Sequence, residues 1–325
     1  MIEVIPDSQK THWVNRAPES IRPYLQLSRL DRPVGYWLLA LPGWIGLAFA
    51  GLSYGLVWED LKWALLILIG AVAMRGAGCT YNDIVDQDLD AQVERTALRP
   101  LPAGTVTNKQ AWIWLFMQCG IGFIVLLCLP RLAQIVSLCS IPLVAAYPFM
   151  KRITWWPQIW LGLTFNWAVL VAYTAKTGSF SPDLFVLFTG LIFWTVGYDT
   201  IYACQDIEDD AFVGIKSTAR KFGNHIKIGV AICYSIAVLM VWLSIFISYS
   251  KKSDIPAEGN YSVDISPIIL AVVYLLPALI FAGHLVWQIF KFRSDNSRMS
   301  LKIFKSNFWA AIFLILPMLS FAYHE

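Results

Sequence analysis

Nine long apolar segments dominate this sequence of 325 residues, in which 57% of the residues are hydrophobic and only 14% are charged. A helix that crosses the hydrocarbon core of a bilayer needs roughly 20 mostly apolar residues. In lipid every backbone polar group must be paired within the protein, and apolar segments of this length achieve that as helices. We therefore predict an all-α polytopic membrane protein with nine transmembrane helices. The predicted spans lie at about 34–51, 61–80, 111–129, 132–149, 157–175, 183–203, 227–249, 266–290 and 306–322.

The Lys and Arg residues are distributed unequally over the loops between these spans. Nineteen of them fall on the side that holds the N-terminus, and five fall on the opposite side. Cytoplasmic loops carry such an excess, so we predict that the N-terminus is inside and the C-terminus outside. The whole chain is expected to form one integral-membrane domain, in which residues 1–28 are a polar cytoplasmic segment. That segment resembles neither a signal peptide nor a transit peptide, which favours a bacterial plasma membrane over a mitochondrial inner membrane.

Two acidic clusters follow predicted spans on the same side of the membrane. The first, "YNDIVDQDLD", places Asn82, Asp86 and Asp90 four residues apart, and "QDIEDD" places Asp206 and Asp210 at the same spacing. Residues at this spacing share one face of a helix. Mg²⁺ is typically held by one or two carboxylates together with phosphate oxygens. One such cluster alone is more often a solvated loop, but two on one side predict a pair of acidic helix ends that hold Mg²⁺ and a diphosphate between them.

Basic residues accompany both clusters and supply the groups that a diphosphate requires. Arg95 and Arg99 follow the first cluster, and Lys216 and Arg220 follow the second. Arg pairs with phosphate through two parallel hydrogen bonds, and Lys acts as a point charge. Arg75 lies inside a predicted span, where an ionisable residue is costly and is interpreted as functional. We predict that Arg75 is a partner of the acids or of an anionic group on a substrate.

These motifs resemble those of a known family of membrane enzymes. "MRGAGCTYNDIVDQDLDAQVERTALRPLPAG" is similar to the first signature of the UbiA superfamily of prenyltransferases, and "YDTIYACQDIEDDAFVGIKSTA" is similar to the second. "AYPFMKRITWWPQIWLGLTFNW" resembles a stretch of the branch that acts on 4-hydroxybenzoate, and "RLDRPVGYWLLALPGW" resembles the usual first span. The resemblance extends from about Pro23 to the ninth span.

The resemblance implies a fold and a reaction. The fold is a bundle of nine transmembrane helices around a central cavity. The reaction is the Mg²⁺-dependent transfer of a polyprenyl chain from its diphosphate to the ring carbon ortho to the phenol of 4-hydroxybenzoate, in ubiquinone biosynthesis. The implied partners are these two substrates and the lipid bilayer, without nucleic acid.

The resemblance also implies roles for individual residues. Asn82, Asp86 and Asp90 match the first metal motif, with Asp83 adjacent, and Asp206 and Asp210 match the second. Tyr147 and Lys151 match a tyrosine–lysine pair near the diphosphate, while the roles of Asp88 and Asp209 stay open. Arg75 and Arg152 are the candidates for the carboxylate of the acceptor. The candidate aromatic walls, which would exclude water and stabilise an allylic cation, are Trp160, Phe165, Trp167, Tyr198 and Tyr202.

Two other interpretations stay open at this point. A transporter or channel would carry charged residues at mid-membrane in several spans, whereas this sequence collects its acids at one side. A relative within the same superfamily could use a naphthoate, homogentisate or haem as acceptor, although the "KR", "T" and "PQ" elements of the third motif favour 4-hydroxybenzoate.

Overall fold

A computed structural model describes residues 12–92, 94–253 and 267–322. Only the backbone is described for Glu94, Arg95, Asp209 and Phe321 and for residues 251–253 and 267–274. All regular elements in this part of the chain are helices, which confirms the predicted all-α fold. Two of them are short 3₁₀ turns, at Trp13–Arg16 and Gly223–His225. The α-helices are α1 (Arg22–Leu27), α2 (Val34–Tyr54), α3 (Glu59–Val85), α4 (Gln87–Asp90), α5 (Glu94–Ala97), α6 (Asn108–Leu127), α7 (Arg131–Cys139), α8 (Ile141–Ile153), α9 (Pro157–Thr177), α10 (Pro182–Ala203), α11 (Ile207–Val213), α12 (Thr218–Phe222), α13 (Ile226–Ser253), α14 (Pro267–Lys291) and α15 (Ser297–Ala322).

Every predicted span coincides with helix, but the predicted number of spans is not reproduced in full. Within the described residues, seven helical segments are long and apolar enough to cross a membrane. The segments at α9 and α14 are helical but are not among the seven. In α9 the reason is composition, because Gln158, Asn166 and Thr174 interrupt its apolar sequence and are buried inside the bundle.

The fourth predicted span is a broken helix. Helix α7 ends at Cys139 and α8 begins at Ile141, so the two meet at Ser140, and Pro142 occupies the first turn of α8. Proline has no amide hydrogen, so it is tolerated in a first turn and disrupts a helix interior. The break follows from the sequence at this position, and it leaves α8 to carry its basic C-terminal end, Lys151 and Arg152, towards the acidic clusters.

The centre of the bundle is formed by α2, α9, α10, α13 and α15, whose apolar side chains make one continuous core. A buried polar network joins α10, α13, α14 and α15. Trp194 donates to the Asn307 side-chain oxygen at 2.8 Å, Gln288 donates to the same oxygen at 3.0 Å, and the Tyr234 hydroxyl donates to Gln288 at 2.5 Å. All four side chains are buried, so each hydrogen bond satisfies a group that would otherwise be unpaired in an apolar interior.

Helices α2 and α9 pack closely because Gly46 has no side chain. A Cβ atom on Gly46 would lie 2.6 Å from the Val169 carbonyl oxygen, which belongs to the α9 backbone. Small residues let transmembrane helices approach to such distances. Gly46 therefore fixes the separation of two helices that both contribute to the interior of the bundle.

We predict that Gly46→Ala destabilises the protein by about 1–3 kcal/mol, because the added methyl group forces two backbones apart. Thermal unfolding in detergent micelles measures the change. Gly120→Ala is the matched control, since a Cβ atom at Gly120 meets nothing within 4 Å and alanine favours the helix. Equal melting temperatures for the two variants would contradict this account of the α2–α9 contact.

Candidate active site

A cavity of about 800 Å³ lies among α2, α3, α6, α7, α8, α9, α10 and α15. Its walls are largely apolar, and its polar lining includes Arg75, Asn82, Asp83, Arg99 and Asp199. A volume of this size is typical of pockets for small molecules and cofactors. The cavity brings Arg75, Asn82 and Asp83 together with most of the candidate aromatic walls.

The first acidic cluster forms where α3 ends. The α-helix stops at Val85, but the Asp86 amide donates to the Asn82 carbonyl at 2.9 Å, and the Asp90 amide donates to the Asp86 carbonyl at 2.8 Å. Helical spacing therefore continues through the break, as the four-residue spacing predicts. Asn82 lines the cavity, whereas Asp86 and Asp90 are buried and are not part of its lining.

The carboxylates of this cluster are paired with cations of the chain itself. Asp86 forms ion pairs with Lys151 and, at 2.8 Å, with Arg152. Asp90 lies 2.5 Å from Arg99. Burial raises the pKa of Asp90 above its ordinary value, although Arg99 acts in the opposite direction. The end of α8 is thus bound electrostatically to the end of α3.

Asp83 organises two arginines at the cavity rather than standing free towards a ligand. Its buried carboxylate lies 2.6 Å from Arg29 and 3.4 Å from Arg99. Burial alone would lower the pKa of Arg29, but the neighbouring carboxylates, Asp83 above all, raise it. Arg29 has φ of 54°, a left-handed conformation that follows the end of α1 and is unusual for a residue with a side chain.

The second acidic cluster is anchored to the same end of α8. Asp206 precedes α11, and the Asp210 amide donates to the Asp206 carbonyl at 2.7 Å. The following loop returns so that the Lys216 amide donates to the Lys151 carbonyl at 2.8 Å, while Lys216 Nζ donates to the Ile153 carbonyl at 3.1 Å. Neither Asp206 nor Asp210 lines the described cavity.

Arg75 lies deeper in the cavity, where the sequence predicts a functional cation. Its guanidinium group is 5.1 Å from the centre of the Phe165 ring, and its Nε atom is buried without a hydrogen-bond partner. Gly35 provides the room, because a Cβ atom there would lie 2.9 Å from that nitrogen. Arg75 therefore packs against the Phe165 ring and against Gly35, and its Nε atom has no hydrogen-bond partner in the protein.

Four of the five predicted wall residues line the cavity: Phe165, Trp167, Tyr198 and Tyr202. The prediction for Trp160 is wrong, because its indole nitrogen donates to the Leu143 carbonyl at 2.7 Å and the residue is not part of the lining. Tyr147 lines the cavity, which is consistent with its predicted position near the diphosphate.

The remaining predicted residues do not reach the cavity or are not described. Lys151, Arg152 and Lys216 are not part of the lining, and Asp88 is exposed. Arg220 Nη1 donates to the Asp210 carbonyl at 3.2 Å. The side chains of Arg95 and Asp209 lie outside the described part of the structure.

Sequence reasoning missed four charged residues that line the cavity: Arg29, Arg32, Asp199 and Lys305. Three of them were counted only as basic residues of the loops. Asp199 stands inside a predicted span, so the rule that identifies Arg75 as functional would also have identified this acid.

The cavity mouth is the end of the cavity next to the two acidic clusters, where α3 and α10 end. The oxygen donors of these clusters suit a hard cation that binds together with a phosphate. No group of three or more His, Cys, Asp and Glu residues in the described chain is placed to hold a metal ion. Such a group is not required, because Mg²⁺ keeps water and phosphate ligands beside one or two carboxylates. Asp86 forms ion pairs with Lys151 and Arg152, and Asp90 forms one with Arg99. These two carboxylates therefore already bind cationic groups.

Comparison with known families decides the relationship. A model described as the UbiA prenyltransferase family matches residues 39–313. The chain belongs to the UbiA prenyltransferase family. The resemblance inferred from the sequence motifs is confirmed.

Solved structures share the UbiA fold with this chain. The apo structure of a UbiA homologue from Aeropyrum pernix K1 has a TM-score of 0.68 at 21% identity and covers 88% of this chain and 98% of its own. A UbiA homologue from Archaeoglobus fulgidus bound to DMAPP and Mg²⁺ has a TM-score of 0.64 at 16% identity and covers 93% of this chain and 99% of its own. At these identities the likeness concerns the fold alone.

Curated relatives are similar along most of the chain. The mitochondrial 4-hydroxybenzoate polyprenyltransferase of Arabidopsis thaliana is 38% identical over 303 residues, which are 93% of this chain and 69% of the relative. Proteins of the same name from Aedes aegypti and Bos taurus are 40% and 48% identical over 90% and 66% of this chain and 62% and 57% of their own. The chain spans 57% to 70% of the lengths of the curated relatives that it matches.

These names correct the predicted location. The sequence favours a bacterial plasma membrane only because no transit peptide is visible in it. The relatives are mitochondrial proteins of a plant, insects, a slime mould and mammals, and they point to a mitochondrial membrane instead. The prediction is wrong because it rested on a terminal segment and not on the membrane domain.

We predict that Asp83→Asn destabilises the protein by about 3 kcal/mol, because removing one partner of a buried ion pair leaves the other charge uncompensated. Here two arginines lose their carboxylate. Thermal unfolding in detergent measures the effect, and Asp88→Asn, which neutralises an exposed acid of the same cluster, is the control. If the two variants melt at the same temperature, Asp83 does not hold the arginines.

Proposed function

We propose that this protein transfers a polyprenyl group from polyprenyl diphosphate to the ring carbon ortho to the phenol of 4-hydroxybenzoate and releases diphosphate, with Mg²⁺, as a step of ubiquinone biosynthesis. Membership of a prenyltransferase family supports the reaction class. The names of the curated relatives support the acceptor and the polyprenyl donor. The single observation that carries the proposal is a mostly apolar cavity with paired acids and bases at its mouth and an available arginine, Arg75, deeper inside.

The mouth of the cavity suits the diphosphate. In this proposal Asn82, Asp86, Asp90, Asp206 and Asp210 hold Mg²⁺, which supplies charge neutralisation for the departing diphosphate. The UbiA homologue from Archaeoglobus fulgidus, with Mg²⁺ and DMAPP bound, is a precedent within the fold.

The basic residues around the mouth then bind phosphate oxygens. Lys151 and Arg152 form ion pairs with Asp86, and Arg99 forms an ion pair with Asp90. These basic residues are therefore next to the proposed metal ligands, where a diphosphate would bind. Tyr147 lines the cavity one helical turn before Lys151 and is proposed to donate its hydroxyl to the same diphosphate. Arg95 and Lys216 belong to the same proposed set.

The deeper part of the cavity suits the aromatic acid. The Arg75 guanidinium has a buried nitrogen without a partner. Arginine forms charge-assisted, often paired hydrogen bonds with a carboxylate. Arg152 is the second candidate for this carboxylate, but it lies on Asp86 at the mouth. The geometry favours Arg75 for the acceptor and Arg152 for the diphosphate.

Aromatic walls protect the reaction from water. An allylic cation is quenched by water and is stabilised by the faces of nearby rings. Phe165, Trp167, Tyr198 and Tyr202 line the cavity, and Tyr202 is fixed against Phe304 with 4.4 Å between ring centres. The isoprenoid tail of the donor is apolar, so it stays in the bilayer or in the apolar part of the cavity.

We predict that Asp86→Asn and Asp206→Asn lower prenyl transfer by at least about 10³-fold, because each removes a negative ligand from the diphosphate site. The assay uses membranes, labelled 4-hydroxybenzoate, a series of polyprenyl diphosphates and Mg²⁺, with EDTA in a parallel sample. Immunoblots of the membrane fraction report whether each variant is inserted.

Asp88→Asn is the control for this experiment, because Asp88 is exposed and does not line the cavity. Its activity should stay within about twofold of the wild type, as is usual for a surface substitution away from special features. Wild-type rates for either the Asp86 or the Asp206 variant would refute the proposed metal site.

We predict that Arg75→Ala raises the KM for 4-hydroxybenzoate by about 10- to 100-fold, the loss of one charge-assisted interaction of about 1.5–3 kcal/mol. The KM for the diphosphate should change little. Arg131→Ala is the control, since Arg131 is an exposed residue at the start of α7. An unchanged acceptor KM would remove Arg75 from the acceptor site.

A panel of acceptors separates the proposed reaction from its rivals within the family. Naphthoate, homogentisate and haem are the alternatives that the sequence leaves open. If 4-hydroxybenzoate is the only acceptor that is prenylated, the proposal is supported. If another acceptor is preferred, the proposed acceptor is wrong, whereas the proposed class of reaction stands.

A further inference from the structure

Two helices carry a charged residue at the same distance from their acidic clusters. Arg75 precedes Asn82 by seven residues on α3, and Asp199 precedes Asp206 by seven residues at the end of α10. Seven residues are about two helical turns, or about 10 Å along a helix axis. Both residues line the cavity. The site therefore has a second charged layer below its mouth, with a cation on one helix and an anion on the other.

Asp199 has no partner within the described part of the chain. No described residue forms a hydrogen bond or an ion pair with its carboxylate, although the side chain is partly buried. The charges that act on this carboxylate are Arg75, which attracts it, and Asp206, which repels it. An unpaired carboxylate within a transmembrane helix is costly, and such residues mark functional sites.

The groups around Asp199 define what would fit beside it. Tyr147 and Tyr198 line the same cavity as Asp199 and Arg75. Arg75 and Asp199 do not bridge to each other, so the cavity separates an available cation from an available anion. An aromatic ring that carries both a carboxylate and a hydroxyl group would offer one partner to each of these two charges.

We propose that Asp199 is a further catalytic residue, which accepts the phenolic proton of the acceptor while Arg75 holds the acceptor's carboxylate. This inference rests on the proposed function. As the phenol gives its proton to Asp199, the oxygen electron pair moves into the ring, and the ortho carbon forms a bond to the allylic carbon. The bond between that carbon and the diphosphate oxygen breaks, and the diphosphate takes its electron pair.

The second half of the reaction restores the carboxylate. The new sp³ ring carbon loses its hydrogen as a proton to the departing diphosphate, and the electron pair of that bond restores the aromatic ring. The ring oxygen takes back the proton held by Asp199. The sum is one acceptor C–H exchanged for a C–C bond, with protonated diphosphate released and no further reactant.

The test compares Asp199→Asn with the wild type in the full chain. Asparagine keeps the shape of the side chain but is not a base, so kcat should fall by about 10²- to 10⁴-fold, the usual contribution of a positioned base. The KM for the diphosphate should be unchanged, and hydrolysis of the diphosphate without acceptor should persist. Asp88→Asn again serves as the exposed control.

Acceptor acidity distinguishes a base from a purely structural residue. 3-Fluoro-4-hydroxybenzoate has a more acidic phenol and keeps one free ortho carbon, so it depends less on a base. The loss caused by Asp199→Asn should shrink by at least tenfold with this acceptor. An equal loss with both acceptors, or a kcat near that of the wild type, would overturn the role of Asp199.

The same experiment separates this inference from the proposed function. If the wild type does not prenylate 4-hydroxybenzoate, the proposed function fails and the inference fails with it. If the wild type reacts and Asp199→Asn reacts equally well, only the inference fails.

Discussion

Lys151 is the point at which the two acidic clusters are joined. Its side chain forms an ion pair with Asp86 at the end of α3, and its carbonyl accepts the Lys216 amide at 2.8 Å from the loop behind α11. One residue of α8 thus connects the sequence halves that carry the first and second clusters. Arg152 on Asp86 and the Lys216 ammonium group on the Ile153 carbonyl support the same connection.

The membrane makes these polar contacts decisive. In a low-dielectric interior an unpaired charge is costly, and a paired one is strongly oriented. Asp83 and Asp86 are fully buried, and each carries two basic partners. The mouth of the cavity is therefore an organised charge network, whereas Arg75 and Asp199 below it keep groups that the protein itself does not satisfy. That contrast separates the residues that build the site from those proposed to meet substrates.

The sequence predicts much of this arrangement from local patterns alone. Apolar length predicts the helices, the four-residue spacing survives from Asn82 to Asp90, and the intramembrane position of Arg75 predicts its place in the cavity. The polar composition of α9 removes one predicted span from the count of apolar helices, because hydropathy does not report whether polar residues face lipid or a partner helix.

What the sequence does not predict depends on pairing across the bundle. The contact of Arg29 with Asp83 joins residues 54 positions apart, and a basic residue before the first span is indistinguishable from one that sets topology. The indole of Trp160 is turned away from the cavity by a carbonyl of α8, which only the helix arrangement reveals. Asp199 was recognisable by its position in a span, but its lack of a partner was not.

The most direct measurement is a structure of the protein with Mn²⁺, an unreactive thio-analogue of a polyprenyl diphosphate and 4-hydroxybenzoate. Anomalous scattering locates the metal independently of the protein. The account predicts Mn²⁺ bound between Asp86 and Asp206 on the diphosphate, with the aromatic acid below it and its carboxylate on Arg75. Metal at only one acidic cluster, or an aromatic acid bound outside the cavity, would contradict it.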